Sequence, residues 1–219
     1  MDLLELIIDD RIVRVAPGTS VLAAASQAGV NIPTLCHLAE LSPSGACRMC
    51  VVQIDGMKSL AAACSLPVSA GMIVHTHTPA VLEARRMVLE LLLANHPADC
   101  FSCSRNLNCE LQELAAELGV KKVRFAGERR RYPLDDSNPF IVRDNEKCIL
   151  CGRCVRACQE LQVCNVLDFT GRGFDTKLAP AFDTITSKSD CVFCGACVAA
   201  CPVGALTEKA LCQSGRPDK

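Results

Sequence analysis

Apolar and polar residues alternate in two short runs near the start of the chain, Leu4 to Ile8 and Ile12 to Val15, on either side of Asp9-Asp10. A period of two around a polar turn predicts a β-hairpin. Pro17-Gly18 marks a turn, and Thr19 is placed to cap a helix that runs through Gln27 and stops at Gly29. Val51 to Ile54 and Ser59 to Ala63 flank Asp55-Gly56, a second hairpin signal, and Met72 to His77 alternates as a further strand. From Pro79 the period becomes helical, with Val81, Arg85, Val88 and Leu92 at helix spacing, and Pro97 ends it. Cys109 to Leu118 predicts another short helix, stopped by Gly119. Lys121 to Arg131 is basic and Asp135 to Pro139 turn-rich. The remainder, Phe140 to Leu211, predicts only short strands around Gly171-Arg172-Gly173.

Composition changes this picture in one respect: the 219 residues include 17 cysteines. Charge is balanced, with 23 basic and 24 acidic side chains, which argues against a protein that grips nucleic acid or an anionic membrane. Met87 to Ala94, broken by Glu90, falls far short of the roughly 18 apolar residues of a membrane span. The start, MDLLELIIDD, has no basic n-region and no cleavage site, so the expectation is a cytoplasmic protein without a direct membrane span. In a reducing compartment so many cysteines predict metal ligation rather than disulfides. Small units with thin apolar cores also gain stability from bound metal, so the metal-free chain is expected to be largely unstable.

The cysteines are grouped. Cys36, Cys47, Cys50 and Cys64 come first, then His96 with Cys100, Cys103 and Cys109. Cys148, Cys151, Cys154, Cys158 and Cys191, Cys194, Cys197, Cys201 follow as two copies of C-x2-C-x2-C-x3-C. In bacterial two-cluster ferredoxins three cysteines of such a run hold one [4Fe-4S] cube and the fourth reaches the other cube. The repeat therefore predicts one cube on Cys148, Cys151, Cys154 and Cys201, and a second on Cys191, Cys194, Cys197 and Cys158. Pro202 follows Cys201 as the pattern expects, whereas Gln159 stands where it has proline. Structural zinc is the competing reading, but zinc sites favour pairs of C-x2-C.

The first group differs in spacing from the plant ferredoxin run. Four thiolates on a small sheet-and-helix unit nonetheless suit a [2Fe-2S] rhomb, with zinc the weaker alternative. The loop SPSGACRMC offers small residues and free N–H groups to anionic sulfur. In the second group His96 completes a set of three thiolates. A neutral donor there removes one negative charge and favours reduction, as histidine ligation does in Rieske centres.

The succession of the first cysteine group, HPADCFSCSRNLNCELQEL, CILCGRCVRAC and CVFCGACVAACP resembles the N-terminal electron-transfer module of iron-only hydrogenases. It is also similar to the start of the large peripheral-arm subunit of complex I, to NAD-dependent formate dehydrogenase and to small diaphorase subunits of NAD-reducing hydrogenases. The resemblance covers nearly the whole chain and fills all sixteen ligand positions. It implies an α+β chain with a β-grasp [2Fe-2S] ferredoxin-type domain over 1–79 and a small helical [4Fe-4S] domain with one His and three Cys ligands over 80–120. A linker over 121–137 and a bacterial-type two-[4Fe-4S] ferredoxin domain over 138–212 complete it. One [2Fe-2S] and three [4Fe-4S] clusters would bring roughly 14 iron atoms and shift the net charge to roughly −8. The function implied is electron transfer in a stand-alone subunit of a multi-subunit oxidoreductase, non-catalytic alone. Its partners would be a flavin- or NAD(P)H-binding subunit and a catalytic redox subunit, or ferredoxin. A free multi-cluster ferredoxin and a zinc-stapled structural protein are the rivals.

Other signals are set aside. Cys164 and Cys212 read as a packed thiol and a tail thiol rather than as exchange ligands or redox sensors, and His37, His75 and His77 as packing or solvated histidines. Lys121, Lys122, Arg124, Arg129, Arg130 and Arg131 read as a solvated linker, or else as a docking edge that offsets cluster charge. Gly171-Arg172-Gly173 lacks a dinucleotide-binding context, Gly-Lys never occurs, and the C-x3-C-x2-C triplet of radical-SAM chemistry is missing. The sequence stops where iron-only hydrogenases and formate dehydrogenases would continue into catalytic domains, so no substrate site is expected.

Overall fold

The computed structural model describes residues 3–212. The chain divides into two compact units, Met1–His37 with Pro43–Leu89, and Leu38–Ser42 with Glu90–Lys219. In the first, β1 (Leu4–Ile8) and β2 (Arg11–Val15) form the predicted hairpin, in register from Leu4 against Val15 to Ile8 against Arg11. Asp9 and Asp10 have φ of 44° and 64°, the positive values that a two-residue type I′ hairpin turn demands.

Helix α1 (Val21–Gln27) begins one residue later than expected, because Ser20 and not Thr19 is its N-cap: Ser20 Oγ accepts the Ala23 N–H at 3.2 Å. Thr19 spends its hydroxyl on Ala16 O at 2.7 Å and closes the Pro17-Gly18 turn instead. At the other end Gly29 takes φ +71°, as a helix stop requires.

Strands β3 (Val51–Ile54) and β4 (Ala61–Ala62) make the second hairpin. Strand β5 (Ile73–His75) enters between the hairpins, parallel to β1 and antiparallel to β3, giving the order β2-β1-β5-β3-β4. It is shorter than the alternation predicts. Thr76 turns its amide to Asp9 Oδ1 at 2.8 Å rather than to a neighbouring strand, and so ties the first hairpin's turn to the sheet. Leu6, Ile8, Val13, Val52 and Val74 face Val21, Ala24 and Ala25 across a core of small and β-branched side chains. Helix α2 (Pro79–Asn95) is capped by Thr78 Oγ1, which accepts the Val81 N–H at 3.3 Å. Proline near the start costs it nothing, since those first amides lack helical acceptors. Val81, Arg85, Leu89 and Glu90 are its buried positions, and Arg85 Nη2 donates to Val51 O at 2.9 Å.

The second unit is built from short pieces. Helix α3 (Glu110–Glu117) ends at Gly119 with φ +68°. Strand β6 (Ile141–Arg143) pairs antiparallel with a strand sixty residues on, and helix α4 (Arg153–Arg156) runs into a wider turn over Ala157–Leu161. Strands β7 (Leu167–Thr170) and β8 (Lys177–Pro180) form a hairpin around Gly171. Helix α5 (Ala196–Ala200) and strand β9 (Leu206–Glu208), the partner of β6, complete it. Leu41, Ala157 and Ala200 pack together. Among the described residues no helix is long and apolar enough to cross a membrane.

Residues 121–137 hold no helix or strand beyond the single bridge of Asp135 to Arg143 and are mostly exposed, but the segment is tied down at several points. Arg124 Nε pairs with Glu90 at 2.8 Å, and Arg130 Nη1 donates to Thr176 O at 2.9 Å. Gly127 lies so close to α2 that a Cβ there would come within 2.1 Å of Ala94 O. Two residues of the basic run thus hold the segment down, while Lys121, Lys122, Arg129 and Arg131 are exposed as a charged surface run would be.

Candidate metal centres

The loop from Ser44 to Cys50 delivers the first group. Cys36, Cys50 and Cys64 are buried and Cys47 half-buried. Amides of the loop turn onto the sulfurs: Gly45 toward Cys64, Ala46 and Cys47 toward Cys36, and Met49 toward Cys47 Sγ at 3.5 Å. Arg48, with φ 55°, is the residue whose left-handed turn aims Met49. A hydrogen bond from Cys47 holds the Cys36 thiol far below its usual range at the expense of Cys47. Burial, with the charge of Cys50 beside it, pushes Cys64 up to about 11.

In the second group, residues at the end of α2, the turn of Cys100–Ser102 and the start of α3 surround one hollow lined by His96, Cys100, Cys103 and Cys109. Burial pushes the His96 imidazole down to about 4, so the ring is neutral, and its Nδ1 is buried without a hydrogen-bond partner. Burial raises the Cys109 thiol, with the amides of Leu111 and Gln112 at the head of α3 partly offsetting it.

The two repeats share one backbone device. In the first, Leu150 has φ 54° and Gly152 φ 72°; in the second, Phe193 has φ 58° and Gly195 φ 77°. Bulky side chains at positive φ are uncommon, and here they turn successive amides inward. Leu150 N–H reaches Cys148 Sγ at 3.4 Å, and the amides of Arg153 and Val198 face Cys151 and Cys197. Such concave rows of N–H groups suit anionic sulfur.

The structure crosses the fourth cysteines between the repeats. Cys201 lies among Cys148, Cys151 and Cys154, each of which its charge would push up. Cys158 lines one cavity with Cys191, Cys194 and Cys197. Burial is the largest cause throughout, lifting Cys148 to about 11 and Cys151 and Cys197 to about 12. Buried thiols this reluctant to ionise give up their protons to a cation rather than to water. Among the described residues no three His, Cys, Asp or Glu side chains close on one point as a single-ion site. Soft thiolates in fours, one neutral imidazole with an idle buried nitrogen, and rows of inward amides all fit iron–sulfur clusters.

The His96 site and the Cys201 site are joined by several contacts. Glu110, next to Cys109, donates its N–H to Pro202 O at 3.0 Å, next to Cys201. Its carboxylate grips Arg153 through two bonds of 2.6 and 2.8 Å. Gly204 presses against the His96 site: a Cβ there would lie 2.7 Å from Cys103 Sγ. Gly204→Ala is therefore expected to displace Cys103 and to empty any four-iron cluster that the His96 set would hold. Iron content should fall by about four atoms while the EPR signal of the [2Fe-2S] cluster persists. A full iron complement would show that the loop yields instead.

The remaining singled-out residues lie apart from these roles. Cys164 borders the Cys158 cavity and donates its Sγ–H to Gln162 O at 3.3 Å. Cys212 meets Thr207 Oγ1 at 2.9 Å. His75 pairs with Asp55 at 3.0 Å, and His77 lies 3.5 Å from Asp9. The left-handed Leu150 and Phe193, Arg105 and Gly204 carry no signal in spacing alone; the repeat alignment of Gly152 with Gly195 is the one hint the sequence holds.

Known families and proteins match along the chain. Residues 2–79 match the 2Fe-2S iron-sulfur cluster binding domain, 85–124 the NADH-ubiquinone oxidoreductase-G iron-sulfur binding region, and 138–207 the ferredoxin-like domain of NADH-quinone oxidoreductase subunit 3. The chain is 41% identical over 213 residues to the NADP-reducing hydrogenase subunit HndD of Solidesulfovibrio fructosivorans, covering 95% of this chain and 36% of that protein. It is 36% identical over 215 residues to the mitochondrial NADH-ubiquinone oxidoreductase 78 kDa subunit of Neurospora crassa, covering 97% of this chain and 28% of that one. The chain thus spans little more than a third of these curated relatives' length at most. A chain in the crystal structure of an NAD+-reducing [NiFe]-hydrogenase in the H2-reduced state superposes with a TM-score of 0.87 at 32% identity, covering 99% of this chain and 90% of that chain.

Proposed function

The chain belongs to the family of N-terminal iron–sulfur modules of hydrogenase- and complex I-type subunits, and we propose that it relays single electrons inside a multi-subunit oxidoreductase. The relay runs between a flavin- or NAD(P)H-binding subunit and a catalytic redox subunit, a hydrogenase or formate dehydrogenase, or a ferredoxin. Cys36, Cys47, Cys50 and Cys64 would hold a [2Fe-2S] cluster. Three [4Fe-4S] clusters would sit on His96 with Cys100, Cys103 and Cys109, on Cys148, Cys151, Cys154 with Cys201, and on Cys191, Cys194, Cys197 with Cys158.

When bound, these groups supply one-electron redox chemistry over a range of potentials set by their surroundings. The chain's own residues supply those surroundings. Buried thiols exclude water, the amides of Met49, Leu150 and Arg153 offset charge on sulfur, and His96 brings no charge of its own. The Glu110–Pro202 hydrogen bond links the backbone next to Cys109 with that next to Cys201.

The observation that supports this reading most is the gathering of donors from separate stretches into sets of four, with Cys201 and Cys158 exchanged between repeats. Its test is anaerobic preparation of the full chain, with metal analysis and EPR during reduction. Roughly 14 iron atoms per chain and several one-electron signals are expected on dithionite reduction. NADH or NADPH should reduce the chain only after a flavin-containing NAD(P)H dehydrogenase is added. Zinc in place of iron, or oxidation of NAD(P)H by the chain alone, would overturn the proposal.

A further inference from the structure

We infer that Arg105 is a shared counter-cation for the His96 site and the Cys201 site, stabilising the reduced state of both; this rests on the electron-relay reading above. Arg105 lies in the stretch between Cys103 and Cys109, which is wound into turns by Asn106 N–H to Cys103 O and Asn108 N–H to Arg105 O, both 3.0 Å. Leu107, with φ 62°, completes the winding. The arginine side chain is thereby sent out of its own loop and onto the segment that follows Cys201. Its Nη2 donates to Cys201 O at 3.3 Å. Its Cγ is 3.7 Å from the position a Gly204 Cβ would occupy, the point that lies 2.7 Å from Cys103 Sγ. It also lines the hollow that holds His96, Cys100, Cys103 and Cys109. One arginine side chain therefore borders both donor sets.

Its partners set it apart from three other arginines of the unit, a property it shares with Arg130, which is held by Thr176 O and Cys148 O. Arg124, Arg143 and Arg153 are each paired with a carboxylate, from Glu90, Asp135 and Glu110. No carboxylate among the described residues pairs with Arg105; its Nε, like those of Arg143 and Arg153, is buried without a hydrogen-bond acceptor. A half-buried cation with a buried, idle N–H gains from negative charge beside it. The thiolates on either side are that charge. Three thiolates with a neutral imidazole on one face, and four thiolates on the other, leave both sites anionic once loaded. Each gains a further negative charge on reduction. A fixed guanidinium in a low-dielectric surround favours that added charge, and its planar fork suits an N–H to sulfur while Nη2 keeps its carbonyl. Because the same cation serves both sites, its removal lowers both potentials together.

The test is an EPR-monitored redox titration of the full, iron-loaded chain with Arg105→Gln and Arg105→Lys beside the wild type. The signals of the two sites are identified as those lost in His96→Ala and Cys201→Ala. Arg105→Gln should keep its iron, yet at a fixed potential the reduced-to-oxidised ratio of both signals should fall about tenfold, equivalent to ~59 mV for one electron. Arg105→Lys, which keeps the charge, should restore most of the shift. Should Arg105→Gln fail to load, the neutral Arg105→Met serves the same comparison. Unchanged potentials in an iron-replete neutral variant would overturn the inference, as would an equal fall in Arg105→Lys. Failure of the relay reading looks different: the wild type itself would lack iron or one-electron signals.

Discussion

Cys201→Ala is expected to abolish the cluster held by the other repeat, that of Cys148, Cys151 and Cys154, and to spare the cluster of its own. Alanine supplies no ligand, so the loss is complete rather than a change of donor. Cys201 follows α5, and the amides of Val203, Ala205 and Leu206 converge on its sulfur. Its charge bears on Cys148, Cys151 and Cys154, whereas the charges that bear on Cys197 come from Cys191, Cys194 and Cys158. The reciprocal substitution, Cys158→Ala, should empty the site of Cys191, Cys194 and Cys197. The comparison that checks this is spectroscopic identity: Cys201→Ala must share its surviving EPR signals with Cys151→Ala, and Cys158→Ala with Cys194→Ala. Each variant should lose about four of roughly 14 iron atoms. Cys164→Ser and Cys212→Ser should keep them all, since one bonds Gln162 O and the other Thr207. If Cys201→Ala instead matches Cys194→Ala, the repeats are closed on themselves and the crossed assignment is wrong. Stability should fall with the cluster, because binding energy at buried thiols is also folding energy.

What the sequence made legible is what chemistry fixes locally. Ligand spacing is short-range, so the cysteine groups and their repeat could be read directly, and Pro79 and Gly119 punctuate their helices as such residues must. The Ser20 cap was missed by one residue because two adjacent hydroxyls compete, and only the turn at Ala16 decides between them. Strands β6 and β9 have three residues each, too few for a period to show, and they find each other across the whole second unit. Leu150 and Phe193 at positive φ contradict their own preferences; the sulfurs' need for amides overrides propensity there. The basic run of 121–131 reads as surface and is largely exposed; what its charge does not reveal is the tethering of Arg124 and Arg130, because Glu90 and Thr176 lie dozens of residues away.

Asp135 illustrates the same limit and carries the largest expected stability effect. It sits in a stretch whose composition says turn, yet its side chain is 8% exposed beside an Arg143 side chain at 7%. Oδ2 accepts from Arg143 Nη2 at 2.9 Å, Thr186 N–H at 2.9 Å and Thr186 Oγ1 at 2.6 Å, while Oδ1 takes Ser137 N–H at 3.2 Å. Arg143 reaches on to Leu178 O at 2.7 Å, so one carboxylate ties together the 135–137 turn, β6, β8 and the approach to Cys191. Asp135→Ala would leave a buried guanidinium without its counter-charge and the Thr186 amide without an acceptor. The expected cost is about 3–5 kcal/mol, or roughly 10 °C for a chain of this size, read as the temperature at which visible cluster absorbance bleaches. Arg143 and Thr186 line the cavity of Cys158, Cys191, Cys194 and Cys197, so that cluster should go first. Acid supplies an independent check. Burial raises the Asp135 carboxyl, but bonds from Ser137 and Thr186 outweigh it and hold the group well below the usual carboxylate range. A group depressed in the folded state contributes its full stability above the unfolded value near ~4, and loses it as pH falls from there toward the folded one. The stability gap between wild type and Asp135→Asn should therefore stay level above pH ~5 and narrow below pH ~4. A gap that holds constant or widens in acid would mean that the carboxylate's charge is not what secures this corner.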